Sequence, residues 1–396
     1  MNEYCNIEIQ KLASSAASGR YLLGYNGKFF EANSYVVELI NCLQEHADED
    51  VAISKYIEKR QGKYTKEQVK GFIEKYLYPL VNTDVPQKRK QFLYEKELFS
   101  ASLVDKITPY LVGLFNKWLV CGILIFAVIV DVSYLSQTSN LLDFNKHIDA
   151  YSIIGIVMFM LGSSLFHELG HATACRHFGI QHKGIGFGLY LNFPVFYTDV
   201  TEIWKLNRQQ RNVVNLAGVY FQSYCLIGLI VIYTITPSDL IRYLILSMNF
   251  GFLMVLNPFF KFDGYWIASD ILGVPNLRRR AQELYGYIYH RLRGTMGRKP
   301  YLLELKPCAK YTFMVYSILV NLFMGYYFVY IIPSFFVYHF VMSFPSEIEK
   351  IVILLSNNMA PPFSLLRNIC MQLLFLILIL VMIYRIVSPL FSKCKK

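Results

Sequence analysis

Apolar runs long enough to cross a bilayer constrain this chain more than any other feature. An α-helix rises about 1.5 Å per residue, so about 20 apolar residues span a hydrocarbon core of roughly 30 Å. Six such segments can be drawn, at about Trp118–Leu135, Tyr151–Ala172, Val213–Ile235, Leu240–Phe260, Tyr311–Ile332 and Cys370–Leu390. They explain why only 17% of the 396 residues are charged, against roughly 25% in a soluble domain. The expected fold class is mainly α: a polytopic helical membrane protein of about six spans, surrounded by lipid. The net charge of +11 does not call for nucleic acid, because the basic residues sit between apolar segments. Ile271–Lys310 holds nine Lys or Arg against two acids, whereas Pro333–Leu366 holds only Lys350. By the positive-inside rule both termini then lie in the cytosol, with the chain in the cell membrane. The start, MNEYCNIEIQKLASS, lacks the basic-then-apolar pattern of a signal peptide.

Residues 1–85 read as a small α+β, winged-helix-like domain. GRYLLGYNGKFFEAN sets two short apolar–aromatic strands around Asn26-Gly27, a strong hairpin signal. Ser34 is expected to cap a helix that buries Val36, Val37, Ile40 and Leu43. A second helix covers roughly Asp50–Arg60. A third opens on a Thr65/Gln68 capping box, with Val69, Phe72, Ile73, Tyr76, Leu77 and Leu80 at helical spacing. Residues 86–117 supply a basic linker (Pro86–Lys90) and an amphipathic interfacial segment. Residues 118–270 form the membrane core, 271–310 a basic cytosolic loop and 311–396 a C-terminal membrane region. The eight cysteines contain no CxxC pair, so neither a thiolate zinc site nor a disulfide framework is indicated.

The second apolar run ends in FHELGHATACRHFG (Phe166–Gly179). On a helix, positions four apart share a face about 6 Å from each other, so His167 and His171 can reach one ion with Glu168 beside it. HExxH is the zinc-peptidase signature: two imidazole ligands, and a carboxylate that takes a proton from water. Each ionisable group in a membrane helix costs at least about 2.5 kcal/mol on insertion scales, which packing alone does not offset for three of them. A catalytic zinc needs a third protein ligand. Asp263, in LNPFFKFDGYW at the end of the fourth run, is the leading candidate. Cys175, His177, His182, Asp199 and Glu202 are weaker ones.

HELGH with NPxxxxDG (Asn257, Pro258, Asp263, Gly264) resembles the site-2 protease family of intramembrane zinc metallopeptidases, over roughly Tyr151–Asp270. The resemblance implies Zn2+ held by His167, His171 and Asp263, Glu168 as the catalytic base, and Asn257 as a substrate contact. It also implies that GIGFGLYLNFPVFYTDVTEIW forms a short membrane-embedded β-hairpin whose edge pairs with an extended substrate. In that family the middle core helix carries Gly-Pro followed by asparagine. Here Gly218 precedes Val219 in NLAGVYFQSYC, and the sequence leaves open whether Gln222 stands in. PVFYTDVTEIWKLNRQQRNVVNLAG is similar to bacterial peptide zinc metalloproteases found with peptide-modification and export systems. The N-terminal element order resembles the PqqD-like peptide-recognition domain. Together these imply a leader-bearing precursor as the peptide substrate, with exporter subunits as partners. Two other readings fit the same residues: a peptide-binding or export subunit that keeps the metal without cleaving, and a regulatory protease that releases a membrane-tethered transcription factor.

Overall fold

The structure is a computed structural model that describes residues 3–46, 48–81, 94–138, 150–190, 193–295 and 299–393. The linker Pro86–Lys90 lies outside the described residues. The chain divides into two compact units, one of residues 1–89, 97–186 and 196–315, the other of residues 90–96, 187–195 and 316–396.

The first unit opens with an antiparallel sheet of β1 (Glu8–Leu12), β2 (Arg20–Tyr25) and β3 (Lys28–Asn33), in that order. Tyr25 pairs with Lys28 across a turn in which Asn26 and Gly27 have φ of 47° and 71°. Two successive left-handed residues make the tight turn that matches strand twist, and Asn-Gly tolerates it best. Helix α1 (Ser34–Glu45) follows at once. Its cap is Asn33 rather than Ser34: Asn33 Oδ1 accepts from the Val36 N–H at 3.0 Å. Asn33 already has the extended backbone a cap requires, so Ser34 becomes the first helical residue. Helices α2 (Glu49–Lys59), α3 (Lys66–Phe72) and α4 (Tyr78–Val81) complete the module, and the Thr65/Gln68 capping box forms. Leu23, Ile40, Leu43, Ile53, Val69, Ile73 and Leu77 fill its core. Tyr76 is exposed instead. A π-helical turn over Ile73–Leu77 changes the helical phase there.

Next come β4 (Glu95–Phe99), α5 (Ala101–Leu111), α6 (Lys117–Gln137) and α7 (Ala150–His177). The expected hairpin appears as β5 (Ile185–Tyr190) and β6 (Phe193–Thr198). It gains a third strand, in the order β4-β5-β6. Helices α8 (Arg208–Ile235), α9 (Asp239–Val255), α10 (Asp263–Leu272) and α11 (Leu277–Leu292) follow. Leu226, Leu229, Ile230, Leu244, Ile245 and Met248 form the α8–α9 core. The N-terminal module is fastened to this core by the link between β1 and β2. Ser15 N–H donates to Gly273 O at 2.9 Å, Ala17 N–H donates to Glu304 O at 2.7 Å, and Lys306 N–H donates to Ser15 O at 3.1 Å.

The rest of the chain is α12 (Pro307–Tyr326), α13 (Ile332–Phe336), α14 (Phe344–Ser356) and α15 (Phe363–Lys393). Among the described residues, five helices are long and apolar enough to span a bilayer: Lys117–Gln137, Tyr151–His177, Arg208–Ile235, Pro307–Ser356 and Phe363–Val381. This is a polytopic helical membrane protein with a small N-terminal sheet. The span drawn at Leu240–Phe260 is the shorter α9, whose 17 residues extend about 26 Å. Pro307–Ser356 is one 50-residue helical run and absorbs most of the segment expected to be a loop after Ile332. Prolines in an α-helix clash with the carbonyl four residues back. Three of them follow a π turn that ends two residues earlier: Tyr327–Ile331 before Pro333, Val337–Ser343 before Pro345, and, in the N-terminal module, Ile73–Leu77 before Pro79, whereas Pro109 sits within α5 without one. The wider turn gives the ring room, and the helix continues.

Candidate metal centre

Four elements build the site, and α8 is the platform. Its residues Arg211, Asn215, Gly218 and Gln222 recur at spacings of four, three and four, so they share one face. Arg211 and Asn215 bond to α10, and Gly218 and Gln222 meet α7. Gly218 lies against the His167 ring: a Cβ there would come within 2.3 Å of it. Gly170 of α7 plays the reciprocal part, since its Cβ would meet Ala217 O at 2.5 Å. Small residues let membrane helices approach this closely.

His167 Nδ1 lies 3.1 Å from Gln222 Oε1, and His171 Nδ1 lies 2.8 Å from Val214 O. Both partners are acceptors, so each Nδ1 carries the proton and donates it. Each Nε2 is then left with a lone pair. The two Nε2 atoms face each other at 3.1 Å. Asp263 Oδ2 completes the triangle, 3.0 Å from His167 Nε2 and 3.3 Å from His171 Nε2. With both Nδ1 atoms holding the ring protons, Asp263 Oδ2 is a buried acceptor with no hydrogen-bond donor. Three electron-pair donors held this close repel one another, and a cation at their centre removes the repulsion. A tetrahedral zinc with bonds near 2.0–2.1 Å sets its ligand atoms about 3.3 Å apart. The donor set therefore fits zinc in atom type and spacing. Glu168 is buried beside the pair, and donor atoms of His167, Glu168 and His171 lie within 4.8 Å of one another.

Asp263 reaches this point because α10 is held at both ends. At its start, Gly264 passes so close to α9 that a Cβ would meet Leu256 O at 2.1 Å. Two turns on, and on the same face as Asp263, buried Asp270 accepts from Arg211 Nε at 2.8 Å and Nη2 at 2.6 Å. Arg211 Nη1 also donates to Leu206 O at 2.9 Å, and its guanidinium stacks over Trp204. Asn215 Nδ2 reaches Asp270 Oδ2 at 3.5 Å. Neither Arg211 nor Asp270 was singled out from the sequence. The signals were present: the α8 spacing, and an aspartate seven residues after Asp263.

The other candidate ligands are engaged elsewhere. Cys175 is fully buried among Ala174, Val214 and Phe221. His177 packs on Phe115, and His182 Nε2 lies 3.4 Å from Asp105. Asp199 pairs with Lys183, and Glu202 with Lys205. Burial would push the Asp199 carboxyl up, but Lys183 and Thr201 hold it below the usual carboxylate range. Asn257 sits in the turn between α9 and α10, where its Oδ1 accepts from the Phe259 N–H at 2.8 Å. The end of β6 touches the motif helix, Thr198 Oγ1 donating to Glu168 O at 3.3 Å.

Fold and site together define a helical membrane protein with a buried His–His–Asp donor triangle and a glutamate at its side. Comparison with known proteins adds one similarity. The chain is 30% identical, over 126 residues, to a Bacillus subtilis (strain 168) protein named "Putative peptide zinc metalloprotease protein YydH". The matched stretch is 31% of this chain and 50% of the relative, so the chain spans about half the length of the curated relative it matches. No family model matches, and no solved structure matches.

Proposed function

We propose that this protein is a membrane-embedded zinc endopeptidase of the site-2 protease type, which cleaves a peptide during maturation or export of a ribosomally made product. The observation that carries the reading is the meeting of three bare donor atoms, from α7 and α10, beside Glu168. The words "zinc metalloprotease" in the relative's name support it. His167, His171 and Asp263 hold the metal. Zinc in that position supplies a Lewis acid for the scissile carbonyl and lowers the pKa of water toward 7. The Glu168 carboxylate takes the proton from the attacking water and returns it to the leaving nitrogen. Asn257 helps to hold the substrate through its Nδ2, because its Oδ1 is already bonded. A helical substrate hides its peptide bonds, so the peptide must enter extended, alongside the sheet strand that ends at Thr198.

The N-terminal sheet acts, in this reading, as a PqqD-like module that captures a leader-bearing precursor by strand addition. Exporter subunits are the natural partners. The protein sits in the cell membrane with both termini in the cytosol.

Glu168→Gln tests the chemistry. The full chain in nanodiscs, given a library of quenched fluorescent peptides, should show cleavage that a chelator removes and zinc restores. Glu168→Gln should keep its zinc and lose cleavage by about 10²–10⁴-fold. Cleavage at the wild-type rate in that variant would overturn the mechanism.

A further inference from the structure

The two imidazoles are held in unlike ways. The main chain fixes His171 through Val214 O, and no substitution removes that acceptor. A side chain fixes His167: Gln222 Oε1, at 3.1 Å from Nδ1. The orientation of the Gln222 amide is itself determined. Its Nε2 lies 3.0 Å from Ser163 Oγ and 3.4 Å from Ser163 O. A backbone carbonyl can only accept, so the NH₂ must face Ser163 and the oxygen must face His167. Ser163 is buried, four residues before His167 on α7. Gly218, one turn before Gln222, packs against the same ring.

We propose that Gln222 is a positioning residue of the metal centre. Locked by Ser163, it holds His167 in the tautomer and ring angle that present Nε2 to the ion. Its amide faces α7 at both ends, the oxygen toward His167 and the nitrogen toward Ser163. This assignment rests on the zinc reading proposed above. Groups that orient a ligating histidine in this way typically govern metal affinity by about 10–100-fold.

The test is the zinc dissociation constant of the detergent-solubilised full chain, measured by competition with a chromophoric chelator. Gln222→Met keeps length and bulk but offers no comparable acceptor, and it should weaken zinc binding about 10–100-fold. Gln222→Glu restores an acceptor oxygen at the same reach and should return affinity to within a few-fold of wild type. Ser163→Ala leaves the ligands, Gln222 and the carbonyl of residue 163 in place but removes Oγ, the nearer of the two acceptors that hold the amide nitrogen. It should weaken binding in the same direction and by less. The unfolding midpoint of the metal-free Met variant should match that of wild type, separating orientation of the ring from loss of packing. Wild-type affinity in Gln222→Met overturns the proposal, as does equal weakening in the Met and Glu variants. Asp263→Ala keeps the two levels apart. If wild type and Asp263→Ala bind zinc alike, the metal reading fails. If only Asp263→Ala loses zinc while Gln222→Met keeps it, the metal reading stands and the positioning role falls.

Discussion

Helix α8 and the run Pro307–Ser356 are both apolar enough to cross a bilayer, yet they bury 50% and 17% of that apolar stretch. Hydrophobicity is common to both and does not set their roles. Lipid tails are as apolar as leucine, so helices in a membrane gain little from hydrophobic association and need close packing and polar contacts to hold together. The face of α8 supplies both. Its small residue admits the His167 ring, and its polar residues bond across to α7 and α10. In the other run, Asn321 Nδ2 donates to Ser317 O within its own helix, and Ser343 Oγ, which donates to Glu347 Oε1 at 3.4 Å, also accepts from Gln372 Nε2 of α15 at 3.4 Å, with no ligand residue on either side. A span becomes part of a site when its polar residues line up along one face and each has a partner on another element.

The contrast breaks most sharply at Arg211. Replacing one member of a buried ion pair strands the other charge, at a cost of about 3–5 kcal/mol. Arg211→Met should lower stability by that order in denaturant titrations of the solubilised protein, and adding Asp270→Leu should recover much of it. Lys350→Met, on the exposed surface of the other run, should change stability by less than about 0.5 kcal/mol. Equal losses at the two positions would mean that the α8–α10 clamp carries no special weight.

Glycines on the two helices differ in the same sense, with a smaller expected effect. Gly218→Ala thrusts a methyl into the space of the His167 ring, and zinc affinity should fall at least about tenfold. Gly325 lies in α12 with open space around its Cβ position. Gly325→Ala should leave zinc affinity unchanged and alter stability by no more than about 1 kcal/mol. Chelator competition on both variants reads the difference, and unchanged affinity in Gly218→Ala would remove this glycine from the site.

Features fixed by a few neighbouring residues were legible in the sequence. The Asn26-Gly27 turn, the Thr65/Gln68 box and the His167/Glu168/His171 spacing each follow from local geometry. Strand β1 was not legible, because EIQKL has two charged residues in five and is exposed along most of its length, leaving no alternation to read. The cap at α1 moved from Ser34 to Asn33 because two adjacent residues of similar capping strength compete. The continuation of the helix past Ile332 was not legible, since the π turns ahead of Pro333 and Pro345 leave no mark in composition. At the site, the donor residues are chemically distinctive and stand out alone. Arg211, Gly218, Gln222 and Asp270 acquire meaning only through partners dozens of residues away, although the α8 spacing hinted at a shared face.

Metal analysis of the purified full chain, wild type beside Asp263→Ala, decides whether the donor triangle holds an ion. After dialysis against a weak chelator, wild type should carry about one zinc per chain and the variant close to none. Equal zinc in both, or none in either, would contradict that role for the triangle.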